Sequence, residues 1–90
     1  MSASREDPPL TRLLHRAANG EPDAADAALP LVYRELRAIA QRRMAGERRD
    51  HTLQATALVH EAWLRLISAR RVRWPDRAAF YRAAAGAMRN

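Results

Sequence analysis

The dipeptide His60-Glu61 opens in the manner of the zinc-protease pattern HExxH, in which two histidines four positions apart on one helix hold the metal. Four residues after His60 stands Leu64, so the second ligand is missing. The remaining histidines, His15 and His51, fall on separate segments without ligand spacing. The chain has no cysteine, which removes disulfides, thiolate metal sites and a cysteine nucleophile. No serine or threonine has a neighbouring base pattern, and Gly20, Gly46 and Gly86 are too dispersed for a phosphate-cradling loop. These residues predict no enzyme active site, no metal and no cofactor.

The remaining candidate chemistry is binding. All 16 basic residues are arginine, whose permanently charged planar fork suits phosphate and carboxylate, although a GC-rich gene would favour arginine codons as well. Residues 1–45 hold seven arginines against six acids, whereas residues 46–90 hold nine against four, so the positive excess is C-terminal. Between Arg70 and Asn90 lie Arg70, Arg71, Arg73, Arg77, Arg82 and Arg89 with the single acid Asp76, a density that can track a phosphate backbone or simply form a solvated helix face. Trp74, between Arg73 and Pro75, is a candidate platform for base stacking, while Trp63 reads as core.

Elements must position these groups. Alanine and arginine, both strong helix formers, dominate, and two-residue alternation is absent, so an all-α fold is expected, a small bundle of about four helices. Ninety residues make one thin-cored domain that buries roughly 60 to 65% of its unfolded surface, which leaves room for a partner. Residues 1–9 are expected to form a flexible start and 10–90 the helical domain. The beginning lacks the apolar run of a secretory signal, and the longest uncharged apolar stretch, Ala27 to Tyr33, is far below the roughly 18 residues a membrane span needs. A soluble, cytoplasmic protein without membrane contact is therefore expected.

Leu10, Leu13, Leu14, Ala17 and Ala18 mark a first helix that stops at Asn19-Gly20. Asp23 is positioned to cap a second helical stretch, and Pro30 either kinks that stretch or opens a new helix, which predicts a break near Leu29. Beyond it Val32, Leu36, Ile39 and Ala40 share one line, with Arg34, Arg37, Gln41 and Arg42 elsewhere on the cylinder, until Gly46 ends the run. Glu47 to His51 reads as a polar linker, after which Thr52 or Thr56 caps a third helix. At about 100° per residue Leu58, Val59, Ala62, Trp63, Leu66 and Ile67 share a half-circle, with His60, Glu61, Leu64 and Arg65 opposite. Leu64 among those polar neighbours is either a contact point for another protein or a solitary surface leucine. Asp76 caps a fourth helix that runs from Arg77 through Phe80, Ala84 and Ala87 to Met88, and its pattern is still open at Asn90, as it would be inside a larger domain.

The third helical segment, Leu53-Gln54-Ala55-Thr56-Ala57-Leu58-Val59-His60-Glu61-Ala62-Trp63-Leu64-Arg65-Leu66, resembles region 2.2 of extracytoplasmic-function (ECF) sigma factors. It is most similar to a subgroup reading Leu-Gln-Pro-Thr-Ala-Leu-Val-His-Glu-Ala-Tyr-Leu-Arg-Leu, whose histidine His60 shares and whose proline Ala55 replaces. Leu29-Pro30-Leu31-Val32-Tyr33-Arg34-Glu35-Leu36-Arg37 looks like that subgroup's region 2.1, and Arg77 to Arg89 like region 2.3 entering 2.4, so the resemblance runs from about residue 10 to the end.

The resemblance implies a sigma region 2-like domain that binds core RNA polymerase through the clamp helices of the β′ subunit and contributes to binding promoter DNA at the −10 element. On the matching positions, His60, Glu61, Leu64 and Arg65 would meet the polymerase. Trp74, Arg77, Phe80, Tyr81, Arg82 and Arg89 would meet a flipped, single-stranded base, and Arg70, Arg71 and Arg73 extend that basic set. An anti-sigma factor is a further partner consistent with the family. The chain reaches Asn90 before region 2.4 is complete and shows no region 4 helix-turn-helix, so it reads as region 2 alone: an isolated domain, a truncated product or the first part of a longer factor. The alternative is a helical adaptor or remnant that binds polymerase without reading DNA.

Overall fold

The computed structural model describes residues 8–45, 51–69 and 73–89. Four helices follow one another, α1 (Pro8–Ala18), α2 (Pro22–Arg43), α3 (His51–Ile67) and α4 (Arg77–Ala87), and no strand occurs among the described residues. The expected all-α bundle of four helices is what forms. α2 is the hub, packing against α1, α3 and α4.

α1 begins at Pro8, where a proline's missing N–H costs nothing because first-turn donors have no intrahelical partner. Leu10, Leu14, Ala17 and Ala18 are its buried apolar residues, with Thr11 buried beside them in sequence. Its end is the expected Asn19-Gly20 stop. Gly20 adopts φ 93°, a left-handed conformation that glycine reaches without a Cβ clash. The N–H of Gly20 then returns to the Ala17 carbonyl (3.0 Å) and that of Glu21 to the Arg16 carbonyl (3.1 Å), the paired bonds of a Schellman ending. An Arg16 to Glu21 ion pair at 2.9 Å spans the same turn.

α2 departs from expectation in two places. Its N-cap is Glu21, which makes no side-chain cap bond, with Pro22 opening the helix; Asp23 lies inside the first turn, where its charge favours the helix dipole instead of capping it. Nor does Pro30 break the chain, since one 22-residue helix runs through it. The buried residues Ala24, Ala28, Val32, Leu36, Ile39 and Ala40 form a continuous stripe on both sides of the proline. Pro30 and Asp26, whose carbonyl loses the bond, are both exposed, so water can satisfy that carbonyl while the packed stripe holds the helix together. α2 ends at Arg43 with Met44 as C-cap. Gly46, to which the sequence assigned this end, and most of the expected polar linker lie outside the described residues.

α3 starts at His51, which places Thr52 and Thr56 within the helix and not at its cap. Ala55, Val59, Ala62, Trp63 and Leu66 are buried, Leu58 and Ile67 half-buried. Asp76 caps α4 as expected, its Oδ1 accepting from the Ala79 N–H at 2.9 Å. α4 closes at Ala87, with Met88 as C-cap. Arg65 Nη1 on α3 donates to the Ala87 carbonyl at 3.0 Å, satisfying one acceptor that a helix end leaves open.

The core is joined by aromatic rings from different elements. Phe80 of α4 is fully buried and meets Trp63 of α3 edge-on at 6.4 Å, Trp74 at 5.2 Å and Tyr81 at 5.4 Å. Leu14, Leu36, Val32 and Val59 are the other large, fully buried side chains of the same core. Such edge-to-face contacts add about 0.5 to 1.5 kcal/mol each beyond area burial, which matters in a core this thin.

Candidate functional site

The 3.6-residue period that turns Val59, Ala62, Trp63 and Leu66 inward turns His60, Glu61, Leu64 and Arg65 outward, and all four of these are exposed. Steps of three and four residues make them one contiguous patch on a helix surface. Leu64 at its centre is 59% exposed, one of two large apolar side chains so placed among the described residues, the other being Leu31 on α2. Glu61 takes part in no ion pair among the described residues, whereas Arg65 is tethered to the end of α4 through the Ala87 carbonyl. The patch therefore combines a fixed guanidinium, a carboxylate open to a cationic partner and an apolar centre.

The basic set divides differently from expectation. Arg70 and Arg71 lie outside the described residues. Arg73, Arg77, Arg82 and Arg89 are exposed, and Tyr81 is half-buried. Trp74 and Phe80 are not surface rings: Trp74 is 5% exposed and Phe80 is completely buried. One face of the Trp74 indole stacks on the His15 imidazole (5.6 Å, 10° between planes), and Phe80 abuts it nearly perpendicularly. A loop tryptophan between Arg73 and Pro75 is thus a core ring, because α1 brings a partner that is 59 residues away in sequence. In this structure neither ring has a face free for a base.

His15, which has no ligand spacing to the other histidines, takes its place in this core contact. Its Nε2 accepts the Trp74 backbone N–H at 2.9 Å, so that nitrogen carries no proton. Burial foremost, and the charge of Arg73 second, hold its pKa below the ordinary imidazole value. Among the described residues no three His, Asp or Glu side chains gather as a metal site, and no helix is long and apolar enough to cross a membrane.

The sequence reading missed the contribution of α2. A groove of about 620 Å³ follows the α2–α4 seam, with Arg42 and Arg43 on one side and Arg82 and Arg89 on the other. Ile39, Ala78, Tyr81 and Ala85 line its apolar part. A depression of about 440 Å³ shares Glu35, Ala78 and Tyr81 with it and adds Leu31, Arg34 and Arg77. The helical steps from Leu31 through Glu35 and Ile39 to Arg43 were a legible signal of one α2 face, but which neighbour that face meets is not written in a single helix. A second groove, of about 600 Å³ and bordered by Arg43, Met44, Leu58, Glu61 and Met88, adjoins the α3 patch.

The family model described as ECF sigma factor matches residues 8–90. No curated protein and no solved structure matches the chain. With the match spanning all but the first seven residues, and a four-helix bundle presenting the outer face of α3, the chain belongs to the ECF sigma factor family, whose function is RNA polymerase binding in transcription initiation.

Proposed function

We propose that the outer face of α3 docks this chain on the clamp helices of the polymerase β′ subunit, and that the basic side of α4 contacts single-stranded promoter DNA at the −10 element. The observation that carries the first half is the 59% exposure of Leu64 inside the His60, Glu61 and Arg65 patch. An apolar residue at the centre of a polar rim is the composition of a contact surface. Glu61 pairs with a cationic residue of the clamp, a charge-assisted contact of about 1.5 to 3 kcal/mol when partly desolvated. The second half rests on the exposed arginines Arg73, Arg77, Arg82 and Arg89 and on half-buried Tyr81, with Arg70 and Arg71 adjoining in sequence. Arginines position the phosphates and Tyr81 offers a ring for a base.

A pull-down of the full chain with core polymerase tests the docking. Wild type binds, Glu61→Arg and Leu64→Ala each lower affinity about tenfold or more, and both variants keep the wild-type helical content. Failure of wild type to bind, or unchanged binding by both variants, removes the assignment.

One observation favours a second reading. Trp74 and Phe80, two of the three aromatic rings expected to stack on bases, are buried, which suits an adaptor that occupies the polymerase without reading DNA. Binding of promoter fragments across a salt series separates the two. A reader prefers its own single-stranded −10 sequence at every salt concentration, while an adaptor shows only weak binding that disappears as salt rises.

A further inference from the structure

The arginines along the α2–α4 seam are drawn from both helices. Arg34, Arg42 and Arg43 come from α2, and Arg77, Arg82 and Arg89 from α4, while Glu35 is the one acid lining the two joined depressions. From Arg77 to Arg89 the trough extends about 18 Å at the helical rise of 1.5 Å per residue. Its charge is therefore spread along a line with two edges, and apolar surface from Ile39, Ala78, Tyr81 and Ala85 lies between them.

We propose that α2 supplies a second row of phosphate-binding arginines, Arg34, Arg42 and Arg43, so that a single nucleic-acid strand runs between α2 and α4 instead of lying on α4 alone. The inference rests on the DNA-contact reading above and extends it to a helix that reading did not include. Phosphates meet the arginine edges, where a planar fork donates to two phosphate oxygens. Bases lie toward the apolar floor and the Tyr81 ring. At 3.4 Å per stacked nucleotide, 18 Å corresponds to about five nucleotides. A free nucleotide would concentrate its phosphates at one point, whereas these arginines span the whole trough.

The test uses the full chain, alone and with core polymerase, and a fluorescein-labelled 12-nucleotide single strand followed by anisotropy from about 50 to 200 mM salt. Three variants enter: Arg42→Gln with Arg43→Gln, Arg82→Gln with Arg89→Gln, and Arg12→Gln on α1 as a control outside the trough. All five positions are exposed, so circular dichroism should show each variant folded. The α2 pair is expected to weaken binding about tenfold at 100 mM salt and to reduce the slope of log K against log salt by about 1.4, from two phosphates at 0.7 each. Arg12→Gln should leave that slope unchanged. If the α4 pair loses binding and the α2 pair does not, the second row is wrong and DNA contact by α4 stands. If wild type binds no strand in either setting, or neither pair matters, the DNA-contact reading fails together with this one. Displacement of the strand by micromolar ATP would reassign the trough to a free phosphate ligand, and displacement by a glutamate-rich helical peptide to a protein partner; either result overturns the proposal.

Discussion

Trp74 and His15 hold each other by two contacts at once: their rings stack at 5.6 Å, and the Trp74 backbone N–H donates to His15 Nε2 at 2.9 Å. The pair fastens the segment that leads into α4 to α1, and thus sets where Arg73 and the start of the basic helix sit relative to the rest of the bundle.

This contact makes stability depend on pH with a definite sign. The folded state holds the His15 pKa below the ordinary value of about 6.5, because burial and Arg73 disfavour the imidazolium. The unfolded chain therefore binds more protons than the folded one, and stability rises with pH across that interval. The contribution is complete above about pH 6.5 and declines as the pH falls through it. Thermal melts should show a falling Tm between about pH 7.5 and 5. His15→Phe keeps a stacking ring but strands the Trp74 N–H, at a cost of about 1 to 3 kcal/mol at pH 7.5. The difference between the two proteins should shrink toward pH 5, and parallel pH profiles would contradict the assignment.

Phe80 and Leu64 separate folding from binding. Phe80→Ala empties the centre of the aromatic cluster and should cost about 3 to 5 kcal/mol, enough to unfold much of so small a domain at 37 °C. Leu64→Ala removes a side chain that is 59% exposed and should change stability by under about 0.5 kcal/mol. Urea unfolding monitored at the tryptophans measures both, and a Leu64→Ala loss above about 1.5 kcal/mol would mean that this leucine supports the fold.

Pro30 is tolerated in α2 without serving it. Pro30→Ala restores an N–H that can bond the exposed Asp26 carbonyl. Proline is about 3 kcal/mol worse than alanine inside a helix, offset by about 0.4 to 1 kcal/mol for the freer unfolded chain. The substitution should raise Tm with unchanged helix boundaries, as seen by circular dichroism. A lower Tm would show that the ring packs against something its exposure does not reveal.

Much of this was legible because it is local. A 100° period sorts Val59, Ala62, Trp63 and Leu66 from His60, Glu61, Leu64 and Arg65 on a single helix. Asp76 lies three residues before the N–H it caps, and Gly20 supplies the left-handed turn that closes α1. Pro30 misled for the opposite reason: local chemistry votes for a break, and the packing of a stripe on both sides of it outweighs that vote.

The amino-acid order by itself determined the all-helical class, the two unlike sides of α3 and the excess of positive charge toward the C-terminal half, since each follows from propensity, periodicity or composition within a few neighbouring residues. Only the tertiary structure decided that Trp74 is a core ring, that His15 accepts its N–H, that Arg42 and Arg43 share a groove with Arg82 and Arg89, and that Arg34 shares the adjoining depression with Arg77. Those relationships join segments tens of residues apart, and no helix carries in its own sequence the identity of the helix against which it will pack.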